Sequence, residues 1–187
     1  MSATIFLLSA GFIVYVLFLY PLILAVWARV RPRPPVKRFQ PRTVSVLLPV
    51  FRGAKWLPGK LQSLAALDYP AHLVEILVLV DGDEDDSADV ARAFGDPRVR
   101  VIELPRGGKS AALNAGLAAA SGEILLMTDV RQELEPGSLE RLVACFADEE
   151  VGVASGELII RDGRTREEAD VGLYWKYEKF IRSRVGI

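Results

Sequence analysis

A single cysteine, Cys145, and a single histidine, His72, are all that 187 residues offer of those two side chains. One cysteine excludes an internal disulfide. One histidine with no Cys or His partner excludes a zinc site of that kind, and no Ser-His-Asp or Cys-His constellation can be built around it. His72 sits in a connection beside Tyr69 and Pro70 and reads as structural. Cys145 stands among Leu142, Val143 and Phe146 on an expected helix and reads as a buried, inert thiol.

Acidic residues are absent from the first 67 positions, which hold nine Lys or Arg; this +9 segment leaves −10 for the remainder of a chain whose total is −1. Charge of either sign is absent from Ala3 to Ala28, ATIFLLSAGFIVYVLFLYPLILAVWA, a run of 26 residues. At about 1.5 Å per helical residue this run crosses a hydrocarbon layer of ~30 Å with some tilt. Pro21 is tolerated in such a helix, and Trp27 suits the interface. A cleaved signal peptide needs a basic leader and a core of roughly 7–15 residues, whereas nothing basic precedes this longer run. An uncleaved, single-pass anchor in the cell membrane is therefore expected. Arg29, Arg31, Arg33, Lys37, Arg38 and Arg42 follow it, and basic residues beside a span stay cytoplasmic. The globular part is thus expected in the cytoplasm, with Met1 outside. The basic segment either fixes this topology, or attracts anionic membrane lipids, or does both. Nucleic acid is not an expected partner.

Pro32, Pro34, Pro35 and Pro41 make residues 29–42 a stiff linker, after an anchor over 3–28 and before a domain over 43–187. In that domain the hydrophobic periodicity alternates. Strands are expected at Thr43–Val50, Glu75–Val80, Val99–Leu104, Glu123–Thr128 and Val151–Ile160. Leu57, Leu61, Leu64 and Leu67 mark a helix with Pro58 in its first turn. Further helices are expected over Ala88–Phe94, capped by Asp85, Asp86 or Ser87, and over Ser110–Ala120, Gly137–Ala147 and Arg166–Arg184. Strands alternating with helices, and rich in Val, Leu and Ile, imply a mostly parallel sheet covered on both faces. The fold class is α/β and layered, with ligands at the carboxyl ends of the strands.

The stretch from Pro105 to Pro136, PRGGKSAALNAGLAAASGEILLMTDVRQELEP, carries the chemistry. Lys109 follows Gly107 and Gly108 at a helix start, where a cation can steady a diphosphate. A P-loop is excluded, because its first glycine would fall on Glu103. Asp129 ends a buried strand, where a carboxylate can meet a ribose, a metal or a sugar. Arg131 stands two residues on; it ligates no metal but pairs with phosphate bidentately. Asp81 ends another strand, with Gly82 behind it permitting close backbone approach. Asp83, Glu84, Asp85 and Asp86 read as a solvated loop with helix caps. Together these positions point to an enzyme that uses a nucleotide.

Four blocks in order, VSVLLPVFRGAKWLPGKLQSLAALDYP, VEILVLVDGDEDDS, RGGKSAALNAGLAAASGEILLMTD and VGVASGEL, resemble the family-2 glycosyltransferases with the Rossmann-like GT-A fold, over about Val44 to Glu157. The resemblance implies a UDP- or GDP-linked sugar donor and transfer to a glycan or lipid hydroxyl with inversion. It places Pro49 and Val50 against the base, with Asp81 in contact with it. Gly108 and Lys109 match the glycine-lysine block, and Asn114 and Gly116 its helix. Asp129 matches the first acid of the DxD motif, which meets ribose and a Mg²⁺- or Mn²⁺-bound diphosphate. The chain departs from the pattern at Phe51, Arg52 and Gly53, where a Tyr-Asn-Glu-like run is usual, and at Arg131, where a second acid is usual. The catalytic base is expected beyond Ile187; Glu157, Glu167 and Glu168 are candidates by charge alone. The aromatic tail around Tyr174–Phe180 either packs on the domain, lies at the membrane with Lys176, Lys179, Arg182 and Arg184, or walls the acceptor. The alternatives to an active transferase are a non-catalytic nucleotide-binding or assembly module, and an incomplete piece of a longer polysaccharide or glycolipid synthase.

Overall fold

Two short runs of Val, Leu and Ile form the centre of the sheet. The computed structural model describes residues 2–31, 35–82, 84–156 and 177, which fall into two units divided near residues 35 and 157.

In the larger unit, β1 (Val44–Val50), β2 (Val74–Asp81), β3 (Val99–Leu104) and β4 (Ile124–Met127) lie in the order β3-β2-β1-β4. All pairings are parallel, with Val44 opposite both Val74 and Ile124, and Ile76 opposite Val99. Successive residues point to opposite faces. Val46, Leu48, Ile76 and Val78 share one buried face with Leu57, Leu61 and Leu64 of α3 (Leu57–Ala65). Leu47, Leu77 and Leu79 share the other with Ala112 of α5 (Lys109–Ala119). Each fully buried aliphatic side chain contributes about 1.5–3 kcal/mol, so β1 and β2 carry the core. A Cβ on Gly116 would come within 2.5 Å of Leu79 Cδ1, so only glycine lets α5 lie this close to the sheet.

Helix α4 (Ser87–Ala93) joins β2 to β3, and α6 (Ser138–Val143) follows β4. The expected helix over Gly137–Ala147 tightens at Ala144–Ala147 into a 3-10 turn that holds Cys145, half-buried rather than buried. Residues 151–156 form no strand where one was expected, and residues 157–160 lie outside the described part. Half of the segment read as linker is docked. Val36 N–H donates to Asp148 (3.2 Å), Arg38 N–H to the Ala144 carbonyl (3.1 Å) and the Arg42 guanidinium to the Phe146 carbonyl (3.2 Å). Phe39 meets Tyr69 edge-on at 5.8 Å. The reason is backbone satisfaction: Tyr69 hydroxyl accepts from Arg42 N–H (2.9 Å) and donates to the Arg42 carbonyl (2.7 Å).

The other unit begins with α1 (Ser2–Val14), a π turn (Tyr15–Leu19) and α2 (Tyr20–Val30). Ala3–Val30 runs 28 residues and contains an 18-residue stretch of mean hydropathy 2.3, 6% of it buried, long and apolar enough to cross a membrane. Pro21 has no N–H, and in an α-helix its donor would have served Leu17. That carbonyl accepts the Tyr177 hydroxyl at 3.0 Å. Apart from Tyr177, the expected tail helix lies outside the described residues.

Candidate functional site

The strands point their carboxyl ends to one rim, and four loops meet there. After β1 the chain runs Phe51-Arg52-Gly53, with Arg52 at φ 48°, alone in that region among the described non-glycine residues. The loop is tied to the one after β2. Gly53 N–H donates to Ser87 Oγ (3.2 Å), Ala54 N–H to Asp85 (3.0 Å), and Arg52 pairs with Glu84. Glu84 and Asp85 therefore link two loops rather than only facing solvent. Asp85 also accepts from Ser87 N–H at 3.2 Å, whereas Asp86, which precedes the helix, makes no capping bond. Asp83 lies outside the described residues.

Asp81, 3% exposed, ends β2 and shapes the turn before α5. It accepts the N–H of Gly107 (2.7 Å) and of Gly108 (3.1 and 3.0 Å to its two oxygens) and pairs with Arg106. Gly108 adopts φ 84°, which glycine accepts without a Cβ clash. The Gly107 amide above all, then Gly108 and Arg106, hold the Asp81 carboxyl below the usual range against the opposing effect of burial. Arg106 lies 3.7 Å above the Phe51 ring centre. The sequence marked Asp81 for ligand contact; in the structure its oxygens organise the turn that delivers Lys109.

Lys109 Nζ stands 3.7 Å from Asp129 Oδ2 across the rim. Asp129 also accepts from Arg131 N–H at 2.9 Å, an Asx turn that fixes the loop after β4. The Arg131 guanidinium stacks 4.5 Å above the Trp56 ring centre. Beneath the loop lies Lys60 of α3, 1% exposed. It donates to Thr128 Oγ1 (2.7 Å) and to the Gln132 carbonyl. Burial pushes its pKa down from 10.5 to about 8, partly offset by the Asp129 and Glu133 carboxylates. The sequence reading passed over Lys60, yet a signal was present: it shares the Leu57, Leu61 and Leu64 face, where a charge is out of place.

A cleft of about 240 Å³ gathers the expected positions. Pro49 and Val50 form one wall, Asp81 with Gly108 and Lys109 a second, Asp129 and Arg131 a third, and Phe51 and Arg106 join them. Three cations and two carboxylates on this lining suit an anion such as a diphosphate. Among the described residues no three His, Cys, Asp or Glu are grouped to hold a metal. Magnesium is commonly held by one or two carboxylates plus substrate phosphates. Asp129, with its side chain 41% exposed, fits a divalent ion that arrives on a diphosphate, and does not make an all-protein metal site.

The sequence profile described as glycosyl transferase family 2 matches residues 45–186. The chain belongs to that family. The fold agrees: a mannosyltransferase from Pyrobaculum calidifontis, solved with GDP-Man and Mn²⁺, superposes with TM-score 0.67 at 28% identity, over 79% of this chain and 44% of that one. The S. aureus protein TarS, residues 1–349 in complex with UDP, gives TM-score 0.50 at 25% identity, over 52% of this chain and 30% of the other. In sequence, the undecaprenyl-phosphate 4-deoxy-4-formamido-L-arabinose transferase of Pseudomonas savastanoi pv. phaseolicola is 33% identical over 54% of this chain and 32% of its own length. The chain thus spans less than half the length of these family-2 relatives. Glu157, Glu167 and Glu168 lie outside the described residues.

Proposed function

We propose that this chain is the membrane-anchored donor-binding part of a glycosyltransferase. It takes a sugar from a UDP- or GDP-linked donor to an acceptor hydroxyl with inversion. The observation that carries the reading is the 3.7 Å approach of Lys109 to Asp129 across the cleft that Asp81 shapes. It sets a cation where a leaving diphosphate gains charge and a carboxylate where a ribose presents hydroxyls.

The base packs between Pro49, Val50 and the Phe51–Arg106 wall, with the Asp81 turn at its edge. Lys109 and Arg131 hold the diphosphate oxygens and offset their growing charge as the glycosidic bond breaks. Asp129 positions the ribose, or holds Mg²⁺ or Mn²⁺ on the diphosphate. A bound divalent ion supplies Lewis-acid stabilisation of that leaving group. The acceptor attacks the anomeric carbon from the face opposite the diphosphate, and its proton passes to a general base outside the described residues.

The apolar helix and the basic residues after it support a cytoplasmic domain at the membrane, with Met1 outside. A relative named for undecaprenyl phosphate favours a lipid-borne or glycan acceptor. Arg131 at the position of a second acid supports another reading, in which the chain binds nucleotide without turnover. Membranes containing the chain, given UDP- or GDP-sugars, are expected to release free nucleotide. Asp129→Ala should lower that release about 100-fold or more, the scale of losing a transition-state charge contact. Release equal to wild type from Asp129→Ala would sink the assignment, whereas nucleotide binding without release would favour the second reading.

A further inference from the structure

We propose that one face of α3 and its N-cap, formed by Trp56, Lys60 and Ser63, is the positioning device of the loop that carries Asp129 and Arg131. Lys60 is its central positioning residue. The functional consequence rests on the donor-site reading above; the geometry does not.

The three residues are spaced i, i+4 and i+7, which puts them in line on one helix face. Each grips a different part of the 128–134 loop. Trp56 lies under the Arg131 guanidinium at 4.5 Å. Lys60 Nζ donates to Thr128 Oγ1 on one side of Asp129–Arg131 and to the Gln132 carbonyl on the other. Ser63 Oγ accepts from Leu134 N–H (3.4 Å) while donating to the Lys60 carbonyl (2.8 Å). A single buried ammonium therefore joins both ends of the segment that presents the Asp129 carboxylate and the Arg131 guanidinium.

Burying a lysine is costly unless its N–H groups are paired. At the Lys60 position, among Leu57, Leu61 and Leu64, an aliphatic side chain would complete the core without that cost. Both partners of the Lys60 ammonium bound the loop: Thr128, whose N–H donates to the Leu47 carbonyl (3.2 Å) where the loop leaves the sheet, and the Gln132 carbonyl within it. The carboxylates that act on it, Asp129 and Glu133, belong to the same loop. This placement is explained by a role in fixing the loop, not by packing the core.

The test uses the full chain in detergent with three variants: Lys60→Met, which keeps the volume, Thr128→Val, which removes only the acceptor, and Thr128→Ser, which restores it. Hydrogen exchange on peptides covering 128–134 is read beside peptides from β1 and β2, and GDP and UDP are titrated in parallel. Losing a buried hydrogen bond should speed loop exchange and weaken nucleotide affinity by roughly tenfold, with β1 and β2 unchanged. Thr128→Ser should return both toward wild type. Loop exchange unchanged in Lys60→Met and in Thr128→Val overturns the proposal. If Lys60→Met does not fold, the Val and Ser variants at Thr128 decide alone. A wild-type chain that binds neither nucleotide refutes the donor-site reading, while loop exchange still judges the positioning role.

Discussion

Asp81 shows how much a single carboxylate does at this rim. Its two oxygens receive two glycine amides and one guanidinium, so the residue is an organiser of the turn before α5. Its folded pKa lies below the ordinary 3.8. The stability it contributes is therefore fully present above that value and is lost as pH falls through its depressed folded pKa. Asp81→Asn removes the charge and leaves one acceptor oxygen. At pH 7 the variant should be less stable by about 1–2 kcal/mol, the scale of weakened charge-assisted hydrogen bonds. Urea denaturation at pH 7 and again at pH 2–3 measures this, with the gap narrowing at the lower pH. An equal gap at both would show that the carboxylate's charge is not what holds the turn. Lys60 is the counterpart that sequence reasoning missed. Hydrophobic periodicity treats a position as core when apolar residues recur there, and a lone lysine on that face was overlooked.

Among the elements, those whose local pattern and tertiary burial agree were the legible ones. The continuous Val, Leu and Ile of β1 and β2 are what burial on both faces demands, and both strands stand within a residue or two of where periodicity placed them. The ends of elements were less legible, because they are set by contacts distant in sequence. The helix after Gly137 gives way to a 3-10 turn at Ala144–Ala147, where the carbonyls of Ala144 and Phe146 receive Arg38 and Arg42 from the docked segment. Nothing local to either stretch announces that pairing. The acidic run after Asp81 was read from composition as solvated, whereas Asp85 and Glu84 bridge to the loop after β1. Helix α5 supplies a test at this scale. Gly116→Ala gains helix propensity of up to about 1 kcal/mol, but its Cβ would meet Leu79 Cδ1 at 2.5 Å. Overpacking of about 1–3 kcal/mol should prevail, so Tm should fall. A raised Tm would mean that α5 moves off the sheet at little cost.

For the whole molecule, the sequence separated an apolar N-terminal helix from an α/β domain by charge and hydropathy alone, and the family profile and structural neighbours agree with the domain's class. The cleft was legible as a set of strand-end and turn positions, since α/β topology sends those positions to one rim. Their division of labour was not, because it depends on which hydrogen bonds each side chain makes across loops. The direct test of the account is calorimetric titration of the full chain with GDP and UDP, with and without Mn²⁺ or Mg²⁺. Saturable binding of one nucleotide is expected in the wild type, weakened in Lys109→Ala and lost in Asp129→Ala. No binding of either nucleotide under any of these conditions, or binding indifferent to both substitutions, would contradict it.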